Sequence, residues 1–129
     1  MRQCMEIAQH KPNDFLLLSG DDNLTLPMIS FGCQGVISVI ANALPQHFSS
    51  MIRAALQGEY ATAKKLHYQL LNISALLYVD GNPAGVKGLM ELLNLCSKEV
   101  RLPLVPLTDN TYSKIKGLLE KLPMPEPAI

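Results

Sequence analysis

The sequence predicts an α/β fold, mostly helical over this length: two short parallel strands joined by a helix, then four further helices. Three observations carry this reading. Phe15-Leu-Leu-Leu-Ser19 and Val36-Ile-Ser-Val-Ile40 are apolar on both faces, as strands buried in a parallel sheet are. About twenty residues separate the two strand starts, the length of a compact β-α-β repeat. Beyond Pro45 the apolar residues recur at helical spacing almost to the end of the chain.

The elements follow in order. Met1, Met5 and Ala8 stand at i, i+4 and i+7, with Cys4 and Ile7 beside them, so residues 1–10 read as a helix. No Ser, Thr, Asp or Asn precedes it as a cap, and a helix starting on its first residue reads as cut. Lys11-Pro-Asn-Asp14 is a turn. The first strand, about 15–19, ends at Gly20-Asp21-Asp22. Residues 23–31 then form a helix with Asp21 or Asp22 near its N-cap and Pro27 in its first turn. Gly32-Cys-Gln-Gly35 interrupts, and the second strand occupies about 35–40.

Pro45 opens a helix with Phe48, Met51, Ile52, Ala55 and Leu56 on one face, closed by Gly58. Another runs from Glu59 to about Leu77 on a stripe of Ala63, Leu66, Leu70, Ile73 and Leu77. Asn82-Pro83 caps the next, which carries Val86, Leu89, Met90 and Leu93. Two prolines so close make Arg101–Leu107 extended. Thr108 or Asp109 caps the last helix, through Ile115, Leu118 and Leu119, and residues 123–129 are a frayed tail.

Two strands alone do not make a stable sheet, and both need neighbours on their outer edges. Hydrophobic residues make up 48% of the chain and charged residues only 17%, and mean hydropathy is +0.15. That apolar excess implies surface covered by something else. With the uncapped start, it leads to the expectation that the chain is the C-terminal part of a larger α/β protein.

Eleven basic and eleven acidic residues cancel, which points away from nucleic-acid and anionic-membrane partners. No apolar run approaches the ~20 residues of a membrane span. Cys4, Cys33 and Cys96 show no CxxC spacing and read as reduced, buried thiols of a cytoplasmic protein. His10, His47 and His67 share no metal-ligand spacing and read as surface or amphipathic helix positions. Tyr60, Tyr68, Tyr78 and Tyr112 read as helical packing residues with wet hydroxyls.

FLLLSGDD, GCQGVISVIAN, NPAGVK and RLPLVPLT, in that order and spacing, resemble the C-terminal portion of the dihydrodipicolinate synthase family over about residues 3–120. The resemblance implies the last part of a (β/α)8 TIM barrel over 1–57, with FLLLS and GVISVI as its seventh and eighth strands. It implies an appended C-terminal helical domain over 58–122. The family condenses pyruvate with aspartate-β-semialdehyde in lysine and diaminopimelate biosynthesis, through a Schiff base on a lysine, usually as a homotetramer. It uses no metal or organic cofactor. An imine makes pyruvate's methyl carbon acidic enough to form the attacking enamine.

In that family the lysine lies on the sixth strand, and the proton-relay hydroxyls and a carboxylate-binding arginine also lie upstream. The resemblance therefore implies no catalytic residue in this chain, which should be inactive without the missing N-terminal barrel half. None of Lys11, Lys64, Lys65, Lys87, Lys98, Lys114, Lys116 and Lys121 fits as a replacement, since they sit in a turn or on helices and helix ends.

Three positions carry over as substrate-binding: Ile37, whose backbone carbonyl faces the lysine and pyruvate, Gly20 and Asp21. Gly20 either leaves room for substrate or serves a tight turn. Asp21 either lines the pocket or caps the helix, with Asp22 the capping or solvated one of the pair. The Ile37 side chain is expected in the strand core. Ser38 and Asn42 are expected to bond neighbouring backbone. Phe31 matches a region that touches the neighbouring dimer, or else packs on the first helix. Ala84-Gly85 replaces the Ile-Pro of many members, slightly weakening a helix start. Two readings compete with the synthase: a sibling pyruvate aldolase such as N-acetylneuraminate lyase, and a non-catalytic helical interaction module that folds as a stable monomer.

Overall fold

A computed structural model describes residues 1–123. The order is α1 (Arg2–His10), β1 (Leu18–Ser19), α2 (Thr25–Ser30), β2 (Gly35–Val36), a 3-10 turn (Ile40–Asn42), α3 (Pro45–Leu56), α4 (Tyr60–Leu76), α5 (Ala84–Leu92) and α6 (Asp109–Leu119). This is the expected succession. The tail beyond Pro123 lies outside the described residues.

β1 and β2 pair in parallel, Leu18 with Gly35 and Ser19 with Val36. They are much shorter than the expected strands at 15–19 and 35–40. Phe15 and Leu16 are exposed and pair with no strand, and after Ile37 the chain turns into the 3-10 turn. A ladder lengthens only where a neighbouring strand supplies hydrogen bonds, and the described residues contain only these two strands.

The helices build the core. Pro45 starts α3, and Gly58 at φ 80° turns the chain into α4, a backbone conformation that glycine adopts without strain. The two helices pack along each other through Phe48, Met51, Ala55, Ala63, Leu70 and Ile73, all buried. Leu56, expected on this face, is exposed at the helix end. Helix α6 packs on α4 and α5, burying Ile115 beside Leu77 and Leu89 in the same core. Fully burying one such side chain contributes about 1.5–3 kcal/mol. Buried side chains on both sides of residue 57, from Met28 to Leu122, form one cluster.

Two glycines set the approach of α5. A Cβ on Gly85 would lie 2.1 Å from the Leu77 carbonyl oxygen, and one on Gly88 would strike the Leu107 side chain at 2.5 Å. The α5 start has no side-chain cap: Pro83 occupies the N-cap and Asn82 does not bond it. For α6, Thr108 is the cap and accepts from the Thr111 N–H at 3.3 Å. Residues 97–108 are non-helical, as their prolines require, and Lys98 belongs to this segment rather than to a helix end.

Several side chains depart from expectation. Only Cys33 of the three thiols is buried; Cys4 is partly exposed and Cys96 exposed. His47 is buried, its Nε2 donating to the Pro123 carbonyl at 2.8 Å. Tyr78 lies in the turn after α4, not in a helix, and Tyr60 and Tyr68 are exposed. No helix among the described residues is long and apolar enough to cross a membrane.

Candidate functional site

The parallel register brings the C-terminal ends of both strands together. Ser19 and Val36 are paired, and the Ile37 N–H donates to the Ser19 carbonyl at 2.9 Å. Ser19-Gly20-Asp21 and Ile37 therefore share one end of the two-stranded ribbon. Ser19 is buried, and its hydroxyl donates to the Asp21 carbonyl at 2.9 Å and accepts the Asp21 N–H at 3.1 Å. That closed loop fixes the turn leaving the strand.

Gly20 is exposed, its φ lies outside the left-handed region, and an added Cβ would meet nothing within 4 Å. The turn does not demand glycine for its geometry, and the position opens onto free space.

The two aspartates diverge. Asp21 is exposed, and its Oδ1 accepts from the Asn23 and Leu24 N–H groups at 2.9 and 3.1 Å, capping the turn that leads into α2. Asp22, expected as the capping or solvated partner, is instead 3% exposed. Its Oδ2 accepts from the Val39 and Ile40 N–H groups at 3.1 and 2.9 Å, tying the first strand's exit to the second's. Its Oδ1 is buried with no hydrogen-bond partner among the described residues. The direction of each carboxylate follows from one step along the turn, which spacing alone does not reveal.

Ile37 also departs from expectation: its side chain is 72% exposed rather than in the strand core. With Phe15, Leu16 and Leu18 also exposed, β1 and the residues flanking the two strands present apolar side chains to solvent. Ser38 and Asn42 behave as expected. The Ser38 hydroxyl accepts from the Ala41 N–H at 3.0 Å, and Asn42 Nδ2 donates to the Ser38 and Val39 carbonyls at 3.3 and 3.0 Å.

Tyr78 reaches the same end of the molecule from the helical part. Partial burial pushes its phenol above the ordinary value, and the carboxylates of Asp22 and Asp21 push it further in the same direction. In the sequence it reads as a packing residue, and its one signal is its place just beyond an apolar helical stripe. Phe31 is partly buried and lines a shallow hollow with Met5, Ala8 and Gln9 of α1.

No lysine lies between Lys11 and Lys64, the stretch that contains both strands. An apolar groove lies elsewhere, between α4 and α6, lined by Asn72, Leu76, Val79 and Gly117, with Lys114 and Lys121 exposed at its edge. None of Ser19, Gly20, Asp21 or Ile37 borders it. Among the described residues no group of three His, Cys, Asp or Glu side chains is placed to hold a metal ion.

The chain is 46% identical over 120 residues to a 4-hydroxy-tetrahydrodipicolinate synthase of Phocaeicola vulgatus, covering 93% of this chain and 40% of the relative. A protein of the same name from Methanosarcina mazei is 47% identical over 110 residues, covering 85% and 38%. The crystal structure of dihydrodipicolinate synthase from Aquifex aeolicus superimposes with a TM-score of 0.88 at 39% identity, covering 95% of this chain and 43% of that one. The chain thus spans about 40% of the length of the curated relatives it matches. The model of the dihydrodipicolinate synthetase family matches residues 1–122, and the chain belongs to that family.

Proposed function

We propose that this chain is the C-terminal portion of a pyruvate-dependent Schiff-base lyase, 4-hydroxy-tetrahydrodipicolinate synthase, acting in the cytoplasm in lysine biosynthesis. The observation that carries the reading is the meeting of Ser19-Gly20-Asp21 and Ile37 at the C-terminal ends of two parallel strands, in a chain of this family. In (β/α)8 barrels that end of the strands bears the chemistry. Residues 1–57 then supply the last two strands and the helices around them, and 58–122 the appended helical domain. The complete enzyme is a homotetramer.

In this reading a lysine upstream of the chain attacks the ketone carbon of pyruvate and expels water to form an imine. Loss of a methyl proton gives an enamine, whose carbon bonds to the aldehyde carbon of aspartate-β-semialdehyde. This chain supplies walls rather than the nucleophile. Gly20 leaves space at the mouth, Asp21 adds a polar edge, and the Ile37 backbone borders the imine. No metal or organic cofactor takes part.

The test is reductive trapping. Borohydride with pyruvate should leave the mass of the 129-residue chain unchanged and add a pyruvate-derived mass to the full-length polypeptide. A stable adduct on the short chain would overturn the assignment of the nucleophile to the upstream part.

A further inference from the structure

We propose that Asp22 is a positioning residue of this site: its buried carboxylate holds the backbone of the second strand's exit, and so places Ile37 at the mouth. The inference rests on the lyase reading and extends it to a residue that touches no substrate. Among the described residues, strand pairing ends with the Ile37 N–H on the Ser19 carbonyl. Beyond that point, the hydrogen bonds from Val39 and Ile40 to Asp22 are the ones that join the second exit to the first. They cross 17 and 18 residues of sequence.

Both donors lie at the start of the 3-10 turn Ile40–Asn42, where backbone N–H groups lack partners within the turn. A carboxylate there makes charge-assisted bonds to two adjacent amides. Without it, two N–H groups are left unpaired, one of them on fully buried Ile40. Ile37 then sits in a segment held from one side only. Small displacements of groups around a reacting centre lower turnover steeply, by as much as about 100-fold for 1 Å. Substrate affinity need not change, because Asp22 is buried away from solvent.

The experiment uses the full-length protein with Asp22→Ala, Asp22→Asn and a control, Thr108→Ala, which removes the remote cap of α6. Trapping, kcat, KM for pyruvate, melting temperature and amide exchange at Val39 and Ile40 are measured for each. Asp22→Ala should lower kcat at least about tenfold with KM for pyruvate within about threefold. Thr108→Ala should lose melting temperature and keep kcat. Asp22→Asn retains one oxygen for both N–H groups and should fall between wild type and alanine, its amides exchanging faster in step with its loss of kcat. Equal losses of kcat in Asp22→Ala and Thr108→Ala overturn the positioning role. If the alanine variant does not fold, faster exchange in Asp22→Asn at unchanged kcat overturns it. An unsubstituted full-length protein that traps no pyruvate removes the lyase reading and this one together.

Discussion

At Asp21 and Asp22 the same side chain, one residue apart, serves two ends. Asp21 points outward and caps the entry to α2; Asp22 points inward and crosses to Val39 and Ile40. A third carboxylate makes the electrostatics testable. The Thr111 hydroxyl nearby and the N–H and hydroxyl of Thr108, each donating at 2.9 Å, hold Asp80 below its ordinary 3.8. A depressed folded value means that the charged form is favoured in the native state. Its contribution is therefore complete above the unfolded value and disappears as pH falls through the folded one. Urea midpoints taken from neutral pH downward should fall below about pH 3.8, and Asp80→Asn should flatten that part of the curve. An unchanged curve in the variant would contradict the assigned bonds. Residue identity at the strand ends was legible from SGDD and GVISV. The inward turn of Asp22, the exposure of Ile37 and the placement of Tyr78 were not, because each depends on contacts between distant segments.

Among the elements, the helices are legible in the sequence nearly to the residue. Pro45, Gly58 and Thr108 act through local backbone chemistry, and the stripes of α3, α4 and α6 follow helical spacing. The strands were overextended because their length depends on partners, whereas a helix satisfies its own amides. Two helical glycines, Gly85 at the α4–α5 junction and Gly117 in α6, give predictions of opposite sign. Gly85→Ala places a Cβ against the Leu77 backbone, which cannot rotate away, and should destabilise by about 1–3 kcal/mol. Gly117→Ala in α6 meets nothing within 4 Å and should stabilise by about 0.5–1 kcal/mol through helix propensity. Urea midpoints measure both, and a neutral Gly85→Ala would contradict the close approach. Gly85 is thus a packing residue of the junction, at a helix start that carries no side-chain cap.

At the scale of the whole molecule, exposed apolar side chains gather on the strands and the segment before them, at Phe15, Leu16, Leu18 and Ile37, with Met5 and Ile7 on α1. The helical part buries Ile73, Leu77, Leu89 and Ile115 completely and exposes Leu56, Val79, Leu95, Leu102, Leu104 and Val105. The two short strands leave unpaired edges flanked by these apolar side chains, a surface to which further strands or a second copy can add. The isolated chain should therefore self-associate in light scattering at micromolar concentration, whereas an independent helical module would run as a monomer. The central claim is that the strand ends here border an imine whose lysine lies outside this chain. Its most direct test is peptide mapping of the full-length protein after borohydride trapping with pyruvate. The adduct is predicted on a lysine upstream of residue 1 of this sequence; an adduct on any lysine from Lys11 to Lys121, or none at all, would contradict it.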